Sequence, residues 1–218
     1  MKKAFTLLEL VFVIVVIGIL AATIIPRTKT NPLQEAAIQL ISDIRYTQHL
    51  AMVDDKYDTN NNQWYKKRWQ LLFGTSATYT NGFEAYSIFS DAGTFSGNPG
   101  ISELAKKPSS TDKLLTGGFA GVINYATDTR VTKKMNLGAS YGITSVTTTN
   151  CGGAKRVAFD HLGRPFKGDS SVWTSSVDGM LNTKCKFTLH HDLDTITIQI
   201  EPETGYACIL NATETACQ

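Results

Sequence analysis

From Ala4 to Ile25 the chain carries no proline and a single charge, Glu9. No other feature constrains the fold as much. As one helix at 1.5 Å per residue the run would measure about 33 Å, enough for a hydrocarbon core of about 30 Å. An ionised side chain inside such a run costs free energy unless a partner is supplied, so Glu9 reads as functional. Lys2 and Lys3 precede the run and place the amino terminus on the cytoplasmic side. An ordinary secretory signal could use Ala21-Ala22 for cleavage, but the run is too long and Glu9 would lie in its core. A plain signal anchor fits the length and leaves Glu9 unexplained.

Lys2-Lys3, the small Ala4, and then Phe5-Thr6-Leu7-Leu8-Glu9 ahead of an apolar helix resemble the class III leader of type IV prepilins and type II secretion pseudopilins. The resemblance implies cleavage between Ala4 and Phe5 by a prepilin peptidase and N-methylation of Phe5. It also implies an assembly role for Glu9, paired with the Phe5 amine of a neighbouring subunit. Two opposite charges in a low-dielectric setting are each other's best partner, which agrees. Pro26 matches the family's helix-breaking proline. Ala4 departs from the usual glycine before the cut, which would slow processing.

Without Lys2 and Lys3, the 21 basic residues fall by two and equal the 19 acidic ones. Global charge therefore gives no argument for nucleic acid. Its distribution is uneven: seven Lys or Arg residues and the single acid Asp160 lie from Arg130 to Lys167, and no Lys or Arg follows Lys186. Such a block is ordinarily a solvated surface. Cys151, Cys185, Cys208 and Cys217 form an even set in the exported part, which favours disulfides with three connectivities open. We favour Cys208–Cys217, which ties the tail to the last strand, together with Cys151–Cys185.

After Pro26 the text restarts a helix. Asn31 can cap, Pro32 suits the first helical position and Gln34 can reach back. Leu33, Ala36, Ala37, Leu40, Ile41, Ile44, Ala51 and Met52 fall mostly at helical spacing and predict an amphipathic helix to about Asp54. Strands are predicted at Trp69–Phe73, Ala85–Phe89, Arg156–Asp160, Cys185–Leu189, Ile196–Ile200 and near Tyr206–Leu210, with a tight hairpin at Asp192-Leu193-Asp194. The stretch from Asp91 to Gly121 reads as loop. The fold class expected is α+β. One long N-terminal helix, membrane-spanning in its first half and amphipathic in its second, packs on antiparallel sheets. The boundaries are 1–4 leader, 5–26 transmembrane helix, 27–55 amphipathic helix and 56–218 periplasmic β-rich domain.

The body is similar to H-type minor pseudopilins in three segments: Ser42 to Ala51 on the helix, Ala158 to Pro165 as a strand–turn, and Ile198 to Gly205 at the close. The resemblance implies a bacterial inner-membrane, single-pass subunit whose C-terminal domain is periplasmic, later extracted into a pilus or pseudopilus. Its partners would be the peptidase, the inner membrane, and the major and other minor pilins. A DNA-binding relative in the family, serving natural transformation, carries a Gly-Arg-x-Arg pattern where this chain has Gly205-Tyr206-Ala207-Cys208. The absence of arginine there weakens a DNA reading, because phosphate contact needs Lys or Arg. DNA stays as the alternative through Trp64, Lys66, Lys67, Arg68 and Trp69, whose aromatics interleave with bases. An edge strand guarded by lysines explains the same text.

Catalysis has no supporting constellation and no cofactor is expected. Asp54, Asp55 and Asp58 begin a calcium-loop pattern that lacks its central glycine and closing glutamate. His190-His191-Asp192 lacks a third metal ligand, and neighbouring strand residues point to opposite faces. No metal site is assigned, and the chain reads as a structural filament subunit rather than an enzyme.

Overall fold

The computed structural model describes residues 6–24, 31–211 and 213–217. The chain divides into two units, 1–31 and 32–218. The first holds helix α1, Leu7–Ile24. Thr6 starts it by a reciprocal pair of bonds: the Thr6 amide donates to Glu9 Oε2 at 2.9 Å, and the Glu9 amide donates to Thr6 Oγ1 at 3.3 Å. The Thr6 hydroxyl also donates to Glu9 Oε2, at 2.8 Å. This is a capping box, and it sets the helix start inside the apolar run.

The expected long N-terminal helix is corrected on this point. At 1.5 Å per residue, the 18 residues of α1 span about 27 Å, short of the about 30 Å needed. Among the described residues no helix is long and apolar enough to cross a membrane. The amphipathic segment is a separate helix, α2, Pro32–Val53. A transmembrane helix at 5–26 and a single-pass inner-membrane location with a periplasmic C-terminal domain are therefore overturned. Ala4, Phe5 and Pro26, and with them the cleavage, methylation and helix-break assignments, lie outside the described residues.

The second unit is built on α2. Met52, expected in its apolar stripe, is exposed, whereas Leu33, Ala36, Ala37, Leu40, Ile41, Ile44 and Ala51 are buried as the spacing predicts. They meet two antiparallel four-stranded sheets. The first has order β2-β1-β6-β7, from Ala85–Ser90, Trp69–Gly74, Arg156–Phe159 and Pro165–Phe166. The second has order β10-β9-β8-β5, from Ala207–Ile209, Asp194–Ile200, Cys185–His191 and Ser145–Thr149. A short ribbon, β3 (Lys106–Lys107) with β4 (Ser110–Leu114), and a one-turn helix α3 (Leu137–Tyr141) complete the unit. Phe73 of the first sheet and Phe187 of the second bring their ring centres to 5.4 Å over the helix. That contact joins both sheets in one core.

Two departures have clear causes. β1 alternates in sequence but is buried on both faces through Gln70–Phe73. Its Leu72 enters a second cluster with Phe89, Leu104, Leu114, Ile123 and Val131. The segment expected to be loop from Asp91 to Gly121 supplies the ribbon and two members of that cluster, Leu104 and Leu114; its short apolar pairs show no period. In β9, Thr197 and Gln199 are buried although the alternation points them outward. The tail covers Thr197, whose hydroxyl donates to Glu214 Oε1 at 2.6 Å, and Leu210 donates its amide to the Thr197 carbonyl. Both favoured disulfides are formed, Cys151–Cys185 and Cys208–Cys217. The two-residue hairpin at Asp192-Leu193 also forms, with His191 opposite Asp194.

Candidate functional site

The surface of α1 is the least ordinary part of the molecule. Its large apolar side chains from Leu7 to Leu20 are 37–82% exposed. They point all round the helix, leaving no polar face. A helix that is hydrophobic on every side is stable only when something covers it. Glu9 stands at its first turn. Oε2 accepts both Thr6 donors, while Oε1 makes no hydrogen bond among the described residues. The Thr6-x-x-Glu9 spacing is a capping signature legible in the sequence, and attention to the charge alone passes over it.

The three body segments that carry the pseudopilin resemblance converge in space. Gln48 of α2 donates from Nε2 to the carbonyls of Gly163 and Thr204, both at 2.8 Å. A Cβ on Gly205 would lie 2.5 Å from the Gly163 carbonyl oxygen, so the two turns approach as only glycine permits. Asp160 closes the first turn: Oδ1 accepts the amides of Leu162 and Arg164 at 3.0 and 2.9 Å, and Oδ2 takes Arg164 Nε at 2.8 Å. On the last strand, Arg45 reaches the Ala207 carbonyl at 2.9 Å and lies over the Tyr206 ring. The cation comes from the helix and is spent on the backbone.

The five residues proposed for DNA contact are brought together and engaged internally. Arg68 is 4% exposed, its guanidinium 3.9 Å from the centre of the Phe166 ring, with Trp64 and Trp173 flanking it. Its Nη2 donates to the Ser176 carbonyl at 2.7 Å. Burial pulls its pKa down to about 10, against the opposing pull of Asp160. Lys66 donates to the Ser171 carbonyl at 2.8 Å and Lys67 pairs with Asp58 at 3.5 Å. Trp69 gives its indole N–H to Asp54 at 2.9 Å, and Lys56 sits over its ring while pairing with the same carboxylate. Asp54 and Asp58 are thus occupied by protein cations rather than arranged around a vacant centre.

Four of the seven bases between Arg130 and Lys167 are paired with acids. Arg130 meets Asp128, Lys155 meets Glu84, Arg156 meets Asp169 and Arg164 meets Asp160. His190 and His191 separate as expected for adjacent strand positions: His190 contacts Thr147 and His191 faces Asp192. Among the described residues no three His, Cys, Asp or Glu side chains come together.

Comparison of the chain with protein-family models, with curated proteins and with solved structures gives no match.

Proposed function

We propose that the protein is a structural subunit of a filament of the pseudopilin or pilin class, assembled through α1 with the disulfide-bonded unit displayed as its head. One observation carries this reading: α1 is apolar on every face, and its large side chains from Leu7 to Leu20 are exposed. Packing against the corresponding helices of other subunits would cover it, and the resemblance at Phe5-Thr6-Leu7-Leu8-Glu9 supplies the class of assembly. Glu9 then has two tasks. Oε2 starts the helix through Thr6, and Oε1 is open to accept from a neighbour's amine, which sets register.

The experiment is co-purification with sheared filaments from cells that make the full set of subunits. Wild type is expected in the filament fraction. Val13→Glu and Ile17→Lys are expected to abolish recovery there while both disulfides still form. Glu9→Ala should lower recovery, and Glu9→Gln should restore only part of it, since an amide starts the helix but carries no charge. Normal recovery of the Val13 and Ile17 variants would refute assembly through α1. Normal recovery of Glu9→Ala would remove Glu9 from it.

A further inference from the structure

A cleft of about 360 Å³ opens between α2 and the β3–β4 ribbon, and none of the roles above uses it. Its volume falls in the range of small-ligand sites, about 300–1,000 Å³. Asp43 lies at its edge on the buried stripe of α2, 8% exposed among apolar neighbours. Its Oδ2 accepts the hydroxyl of the fully buried Tyr86 at 2.5 Å and the amide of Gln39 at 3.0 Å. Oδ1 makes no hydrogen bond among the described residues. Lys107 and Lys134 line the same cleft, and neither has an ion-pair partner among the described residues. Elsewhere in this head most bases are tied to an acid or a carbonyl, so two unpaired lysines on one cleft stand out. Tyr46 and Leu115 add apolar wall.

We infer that this cleft binds a small hydroxylated carboxylate, of the class of sugar acids, with its carboxylate between Lys107 and Lys134 and a hydroxyl donated to Asp43 Oδ1. The balance of charge favours this class. Two ammonium groups against one carboxylate leave a single positive excess, which a monoanion neutralises. A ligand without a donor displaces water from Oδ1 and returns no hydrogen bond, and a ligand without a carboxylate leaves both lysines unmatched. Charge-assisted hydrogen bonds to the lysines supply the stronger part of the attraction. Burial holds the Asp43 carboxyl above its ordinary value, against the Tyr86 and Gln39 hydrogen bonds and the field of Lys107. A donated hydroxyl offsets that same desolvation cost. The inference is independent of how the head is assembled.

The test is isothermal titration of the oxidised full-length chain with D-galacturonate, its neutral methyl ester, and acetate. Saturable millimolar binding is expected for galacturonate, at least tenfold weaker for the ester, which lacks the charge, and for acetate, which lacks the donor. Lys107→Ala with Lys134→Ala, the first half-buried, the second exposed and neither in the apolar core, should lower galacturonate affinity at least tenfold. Asp43→Asn should narrow the gap between galacturonate and acetate. Lack of saturable galacturonate binding, or affinity unchanged in the double lysine variant, overturns the site. Equal affinity for acetate and galacturonate overturns the role of Asp43.

Discussion

Tyr86→Phe isolates the buried polar pair beneath α2. The substitution removes one oxygen and no carbon, so it leaves the packing of the ring against Phe73, 5.4 Å away, largely as it is. What is lost is the 2.5 Å bond to Asp43. With Asp43 ionised this is a charge-assisted bond, worth about 1.5–3 kcal/mol, and with Asp43 protonated it is an ordinary one, worth about 0.5–1.5 kcal/mol. Gln39 still donates to the same oxygen, which keeps the charged-state cost near about 2 kcal/mol. The penalty should therefore grow with pH. Burial raises the Asp43 carboxyl above its ordinary value of 3.8, so its favourable contribution is complete below about that pH and is lost as pH rises through the folded-state value. Urea denaturation of wild type and Tyr86→Phe over a pH series from 4 upward, followed by far-ultraviolet circular dichroism, reads the penalty. A loss that rises with pH from about 1 to about 2 kcal/mol, with unchanged denaturant slope, is expected. A loss that does not change with pH, or that never exceeds about 0.5 kcal/mol, would refute the charged pair. An Asp43→Asn background should remove the pH dependence.

Phe187→Ala empties the contact that joins the two sheets and should cost about 3–5 kcal/mol by the same denaturation assay. Loop entropy gives about 2.6 kcal/mol for Cys208–Cys217, nine residues apart, and about 3.8 kcal/mol for Cys151–Cys185, 34 apart. Paired Cys→Ala variants should lose stability in that order, and non-reducing peptide mapping checks the connectivity. Asp178 accepts from the hydroxyls and amides of Thr174 and Ser175, which hold its carboxyl down to about 2. Its contribution is present above 3.8 and is lost as pH falls through about 2, so Asp178→Asn should flatten the acid limb of the stability profile, read by the same denaturation curves.

The parts of the fold legible in the sequence are those where one local rule agrees with the tertiary outcome. Pro32 and the stripe from Leu33 to Ala51 produce α2, and the alternation of Cys185, Phe187 and Leu189 produces β8. The disulfides follow from placing Cys208 and Cys217 on either side of a tail with few large apolar residues. What failed were inferences in which composition stood in for geometry. The apolar run suggested one span, but Thr6-x-x-Glu9 starts the helix at Leu7, three residues after the run begins, and a second helix begins at Pro32. The ribbon Lys106–Leu114 escaped because it is held by scattered long-range pairs, Ala105 to Ile88 and Ile88 to Leu115, that have no period. Aromatics interleaved with bases at Trp64 to Trp69 suggested a surface for an external anion. In the structure the same composition is turned inward, with Arg68 buried over the rings of Phe166 and Trp173.

The order of strands in the first sheet bears on how the chain must be made. β1 hydrogen-bonds on one side to β2, its near neighbour in sequence, and on the other to β6, through Gln70 opposite Ala158. That second edge, and the stripe of α2 that waits for Phe187 and Ile198, cannot close until most of the chain has emerged. Loop closure of this length is slow and leaves apolar surface and an open strand edge waiting meanwhile. A newly made chain therefore exposes the stripe of α2 and the free edge of β1 until its last strands arrive. In chain order the pairing of β1 with β2 comes first, that with β6 later, and the Cys208–Cys217 link closes at the end of the chain.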